Sequence, residues 1–107
     1  MTTSIFRIEV YVPESHLEAV KEALFDAGAG QVGDYSRCAW QVRGTGQFQP
    51  GNESSPYIGS AGHIETVDEY KVELVCAADR IISAIAAMKN AHPYEEPAFA
   101  VIRLETV

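Results

Sequence analysis

The sequence has 107 residues, 47% apolar and 21% charged, which suits one folded domain and excludes a disordered chain, because disorder goes with low hydrophobicity. Eight Lys and Arg stand against fifteen Asp and Glu, a formal charge of −7. The basic residues are scattered, so the clustered positive charge that nucleic acid requires is missing. The opening MTTSIFRIEV carries no basic segment followed by an apolar one, and no apolar run approaches the roughly 18 residues of a membrane span. The expectation is a single domain over residues 1–107, cytoplasmic, with no membrane and with reduced thiols at Cys38 and Cys76.

Residues 5–12 alternate with period two, Phe6, Ile8, Val10 and Val12 on one side and Arg7, Glu9 and Tyr11 on the other, which predicts a half-buried strand ended by Pro13. Ser15 with Glu18 reads as a capping box opening a helix, whose stripe is Leu17, Val20, Leu24 and Ala27. Gly28 and Gly30 supply its stop. A second strand is predicted over 36–43 with Cys38, Trp40 and Val42 on one face, Cys38 there as a buried packing residue. The segment GTGQFQPGNESSPYIGSAG at 44–62 is dense in Gly, Pro, Ser and Asn and reads as a loop with irregular strand extensions as an alternative for its ends; loops this long are more often functional than not. Residues 63–76 begin polar and finish as a strand with Tyr70, Val72, Leu74 and Cys76 on one face. Asp79 can cap a second helix with Ile81, Ile82, Ile85 and Met88 as its stripe. After HPYEEP, residues 98–105 form the last strand.

This order is β-α-β-loop-β-α-β. It predicts an α+β, ferredoxin-like βαββαβ sandwich, a four-stranded antiparallel sheet with both helices on one face. The opposite face presents Arg7, Glu9, Tyr11, Lys71 and Glu73 and is either wet or the seat of a polar interface between copies.

The stretches GTGQFQPGNESSPYIGSAG at 44–62 and AHPYEEPAFAVIRLE at 91–105, in these positions, resemble the insert domain of the YqfO branch of the NGG-interacting-factor-like proteins. That insert is itself similar to CutA and PII signalling proteins, which are ferredoxin-like trimers. The resemblance covers nearly the whole chain and implies a ferredoxin-like fold, self-association with a trimer favoured, and a binding or regulatory role. Larger members hold a dinuclear metal site in a separate core, and some are described as GTP cyclohydrolase-like. A chain of 107 residues leaves no room for that core, so the expectation is that no such activity carries over.

Two constellations could carry function. In the first, His92-Pro93-Tyr94-Glu95-Glu96-Pro97, imidazole and carboxylates suit a divalent transition metal and the prolines stiffen the backbone. The plain alternative is a helix stop and strand start with solvated glutamates, Tyr94 packing on the sheet. His63, after the long loop, is the other histidine that could join His92, Glu95 and Glu96 as a metal ligand; His16 reads as a solvated first-turn residue. The second constellation is the loop, where Gly46 and Gly59 allow close backbone approach and Phe48, Pro50, Pro56, Tyr57 and Ile58 read as anchors. No GxxxxGK[ST] or GxGxxG pattern occurs, and no Lys or Arg lies between residues 44 and 62, so a phosphate cradle is poorly supported. Trp40, Gly46, Phe48, Pro50, Tyr57, Gly59 and Tyr94 are thus the candidates for a ligand groove or a subunit contact. No nucleophile with a base and an orienter is visible. The leading expectation is a non-catalytic homo-oligomer that binds a small ligand or divalent metal. The alternatives are a protein-interaction subunit and a small metal-dependent nucleotide hydrolase.

Overall fold

A computed structural model describes residues 4–107. The alternating IFRIEVYVP segment forms β1 (Ile5–Pro13), with Ile8, Val10 and Val12 wholly buried. A short 3-10 turn over Glu14–His16 then leads into α1 (Leu17–Asp26), which buries Leu17, Val20 and Leu24. That turn moves the helix start beyond Ser15, so the expected capping box does not form. His16 takes the N-cap position without a side-chain bond, and Ser15 Oγ pairs with His16 Nδ1 at 2.8 Å. Gly28 and Gly30, at φ +101° and +86°, turn the chain out of α1 as the sequence predicts.

The second strand lies later than its sequence suggests. Gly30 donates its N–H to the Val75 carbonyl and accepts from the Cys38 N–H, at 2.8 and 2.9 Å. Residues 31–37 therefore make an exposed excursion, and β2 runs Trp40–Phe48. Its second half, GTGQF, belongs to a strand and not to the loop, because it pairs in continuous register with β3 (Glu65–Ala77), from Trp40 opposite Glu73 to Phe48 opposite Glu65. The shift also changes what the strand buries. Trp40 and Val42 lie outward on the open face, Trp40 59% exposed, and Cys38 is half-buried outside the strand. Cys76 alone of the two thiols sits in the core as expected.

β3 has 13 residues, about 44 Å of strand at 3.4 Å per residue. Its length and the paired β2 draw the molecule out to 50 × 23 × 22 Å. A second 3-10 turn, Ala78–Arg80, precedes α2 (Ile81–Ala91), whose N-cap is Arg80, with no bond from Asp79. The buried stripe of α2 is Ile81, Ala84, Ile85 and Met88, while Ile82 is 85% exposed, since one residue along a helix turns a side chain by about 100°. β4 (Phe99–Leu104) closes the sheet, whose order is β2-β3-β1-β4 with every pair antiparallel. The α+β ferredoxin-like arrangement is therefore present, with α1 and α2 packed together over one sheet face.

The other face is open. Arg7 Nη2 lies 3.1 Å from Glu9, and Lys71 Nζ lies 3.9 Å from Glu9 and 3.8 Å from Glu73; Arg7 Nε reaches Glu73 at 3.6 Å. Around this ionic square stand the exposed Ile5, Trp40, Val42 and Ile102. Among the described residues no helix is long and apolar enough to cross a membrane.

Candidate functional site

The two stretches that stood out in the sequence meet in space. α2 ends where His92 turns to extended backbone (φ −80°, ψ 137°) ahead of Pro93, as a residue before proline must. His92 is then held under the sheet end, 7% exposed, its Nε2 2.7 Å from the Tyr11 carbonyl. The Tyr94 N–H donates to its Nδ1 at 3.1 Å. A carbonyl on one nitrogen and a donor on the other fix the ring as the neutral Nε2–H tautomer. Burial is the main force lowering the His92 pKa below the usual histidine range, and the Tyr11 carbonyl opposes it.

This bonded turn presents the Tyr94 ring to its surroundings. Its centroid lies 5.0 Å from that of His92, 6.1 Å from Phe48 at the end of β2, and 6.2 Å from Tyr57 in the loop. The His16 ring meets Tyr57 edge-on at 5.8 Å. The loop over residues 49–64 is folded back by Gly62 N–H on the buried Pro50 carbonyl at 2.8 Å, and by Ser54 Oγ on the Gly51 carbonyl at 2.7 Å. One bond ties it to the corner: the Ser55 N–H donates to Glu95 Oε2 at 2.7 Å. Such a charge-assisted bond is stronger than a neutral one.

Between loop and corner lies a cleft of about 340 Å³, walled by Phe48, Pro50, Pro56, Tyr57 and Tyr94, with Tyr11, Glu69 and Glu96 on its other sides. That volume falls at the lower end of small-molecule sites. Among the described residues no Lys or Arg lines it. Burial raises the pKa of the Glu69 carboxyl, and the Tyr94 hydroxyl is raised by burial first and by Glu69 and Tyr57 second. The Tyr94 hydroxyl oxygen is buried and has no hydrogen-bond partner among the described residues. Gly46 explains how Glu69 can reach this position, because a Cβ on Gly46 would lie 2.1 Å from Glu69 Oε1. A shallower groove lined by Gly46, Lys71 and Glu69 continues along the open face.

The residues singled out from sequence are thus divided. Phe48, Pro50, Tyr57, Tyr94, Glu95 and Glu96 line the cleft, and Gly46 lines the groove beside it. Gly59, at φ +86°, lies against Glu65, whose Cγ would be 2.5 Å from an added Cβ. Trp40 is at the far end of β2, opposite Glu73, roughly 26 Å along the strand from Phe48. The metal set His63, His92, Glu95 and Glu96 is not assembled. His92 has both nitrogens committed, His63 is exposed beyond the loop, and Glu95 holds Ser55. Among the described residues no group of three or more His, Cys, Asp and Glu side chains is arranged to hold a metal ion. Tyr11 and Glu69, with Gln47, Gln49 and Ala98, are cleft residues that sequence reasoning missed. Tyr11 was placed on the open face, but only the β1–β3 and β2–β3 registers bring it and Glu69 beside Phe48 and Gly46.

The antiparallel sheet with its two helices is similar in fold to the CutA proteins. CutA from Xylella fastidiosa superposes with a TM-score of 0.71 over 96% of this chain and 86% of its own length, at 18% identity, a likeness of fold alone. No protein-family model matches the chain. A Bacillus cereus protein related to NIF3 superposes with a TM-score of 0.84 at 37% identity, over 99% of this chain and 27% of the other. The GTP cyclohydrolase 1 type 2 homolog of Mycobacterium leprae is 53% identical over 95 residues, 89% of this chain and 25% of the relative. The chain is therefore a homologue of one segment of the NIF3-related, GTP cyclohydrolase 1 type 2 homolog proteins. It spans about a quarter of the length of the curated relatives it matches.

Proposed function

We propose that the chain is a non-catalytic binding module that takes a small organic ligand in the cleft between the 49–64 loop and the HPYEEP corner. The observation that carries this reading is the meeting of two segments some forty residues apart, bonded to each other through Ser55 and Glu95, around an aromatic-walled space. Rigid tyrosine and phenylalanine faces give contact area at little entropic cost. An organic ligand suits this space better than a metal ion, because His92 is spent on the backbone and Glu95 on the loop. GTP turnover, which the relatives' name brings to mind, we assign to parts of those proteins outside the shared segment. A cleft with three glutamates and no lining Lys or Arg disfavours a triphosphate.

Titration of isotope-labelled protein with a library of neutral and charged aromatic fragments, followed by NMR, tests the reading. The expected result is shifts confined to the amides of Phe48, Tyr57, Tyr94 and their neighbours, with the Trp40 indole silent and GTP returned unchanged. Absence of shifts at the cleft with every fragment, or conversion of GTP, would overturn it.

The open sheet face supports a second element of the proposal, self-association, with a trimer favoured. Ile5, Trp40, Val42 and Ile102 expose apolar surface around the square of Arg7, Glu9, Lys71 and Glu73. Such a face is better covered than wet. Light scattering is expected to give three times the chain mass, reduced toward one by Trp40→Glu; a wild-type monomer at micromolar concentration would contradict it.

A further inference from the structure

The walls of the cleft state what charge its ligand should carry. Among the described residues every ionisable group lining it other than the tyrosines is a carboxylate: Glu69, Glu95 and Glu96. Glu95 is bonded to the Ser55 N–H, whereas Glu69 and Glu96 make no hydrogen bond or ion pair to another side chain among the described residues. Two cations of the ribbon are already paired: Lys71 lies in the neighbouring groove, 3.9 and 3.8 Å from Glu9 and Glu73, and Arg43 bonds Asp68 at 2.9 Å. His16 stands behind Tyr57, edge to ring, and is not part of the lining. Three aromatic rings, Phe48, Tyr57 and Tyr94, supply faces that are negative at their centres. The buried, unpartnered Tyr94 hydroxyl adds an oxygen that can accept a hydrogen bond.

Resting on the reading of the cleft as a ligand site, we propose that its ligand is a small planar organic cation, an amidinium or guanidinium group on an apolar body. The body lies against Phe48, Tyr57 and Tyr94, where a cation is attracted to the ring faces. The donors of the cationic end are directed at Glu69 and Glu96, because a carboxylate takes two parallel N–H bonds from a planar fork, which a compact ammonium does not offer. The space, about 340 Å³, holds one ring with one such group. Gly46 belongs to the same design, since any side chain there would displace the Glu69 carboxylate.

Three near-isosteric probes separate the charge from the fit: benzamidine, benzamide and benzoate, titrated into the 107-residue chain at low salt with the Tyr57 and Tyr94 resonances observed by NMR. The expected order is cation, then neutral, then anion, with benzamidine at least about tenfold tighter than benzoate, as a carboxylate-lined, partly desolvated site requires. Glu69→Gln, and separately Glu96→Gln, should each reduce that ratio several-fold, chiefly by weakening benzamidine, while Trp40→Glu, at the far end of β2, leaves the ratio unchanged. Equal binding of the three probes, or preference for benzoate, would overturn the charge assignment and leave the ligand site standing. Failure of all three to shift Tyr57 or Tyr94 would overturn both.

Discussion

The two ends of the long β2–β3 ribbon follow different rules. Where β3 passes beneath the helices, Val72, Leu74 and Cys76 are closed in by Ile8, Val10, Leu24 and Met88, and stability comes from apolar area. Toward the tip the same two strands carry Gly44, Gly46, Thr66 and Asp68, mostly exposed, and what order there is comes from backbone bonds, the exposed Arg43–Asp68 ion pair at 2.9 Å and ring contacts with the corner. The body can be read as a core problem. The tip can be read only as a surface held in shape by a few named contacts, which is the situation in which a chain keeps a cleft open. His92 stands at the boundary, a helix terminus below and the cleft wall above.

Substitutions should separate the two regions by size of effect. Met88→Ala, at a fully buried position of the core, should cost about 3 kcal/mol in urea unfolding, the sum of lost transfer energy and a cavity. At the boundary, His92→Ala leaves the Tyr11 carbonyl and the Tyr94 N–H without their partner. A loss of about 2 kcal/mol is expected, together with altered Tyr94 ring shifts. If His92→Ala were as mild as a surface change, the corner would not be anchored as described.

The boundary also has a pH signature. Burial depresses the His92 pKa in the folded chain, so the folded state binds fewer protons than the unfolded one. Its contribution is complete above about pH 6.5 and is lost as pH falls toward the folded pKa. Glu69 works oppositely, because a raised folded pKa favours the folded state when protonated. Its contribution is present below the usual carboxylate range and is lost as pH rises through its folded value. Urea midpoints between pH 7.5 and 5.5 should therefore fall in the wild type and fall less in His92→Ala; parallel curves would contradict the assignment of the slope to His92.

The smallest effect belongs to the tip. Glu95→Gln weakens the bond to Ser55 and should cost about 1 kcal/mol or less. Amide exchange is the sharper readout: Ser55 should exchange faster while the amides of Val72 and Leu74 keep their protection. A uniform change across both would mean the ribbon has no independent tip.

The body was legible in the sequence for a physical reason. Period-two alternation in residues 5–12 and 70–76, and stripes of three and four in the helices, are direct consequences of one buried face, and the structure buries Ile8, Val10, Val72, Leu74, Leu24 and Met88 accordingly. Where burial does not set the pattern, the reading failed. Glycines at 44 and 46 suggested a loop, yet backbone pairing with Glu69 and Val67 holds them in strand. Cys38, Trp40 and Val42 share one face of the strand read over 36–43, but β2 begins at Trp40, which leaves Cys38 outside it and puts Trp40 and Val42 on the open face. In the cleft, composition pointed to HPYEEP and the Phe48–Tyr57 region, whereas Glu69 and Tyr11 enter only through register, a long-range property that no local spacing encodes.

The most direct test of this account is a nuclear Overhauser measurement between the rings of Tyr57 and Tyr94 in protein with selectively labelled tyrosine. The centroids are 6.2 Å apart, so ring-to-ring cross-peaks are predicted in the wild type and should weaken in Glu95→Gln. Their absence from a well-folded wild-type sample would mean that the loop does not close onto the corner, and the cleft with its proposed ligand would have no basis.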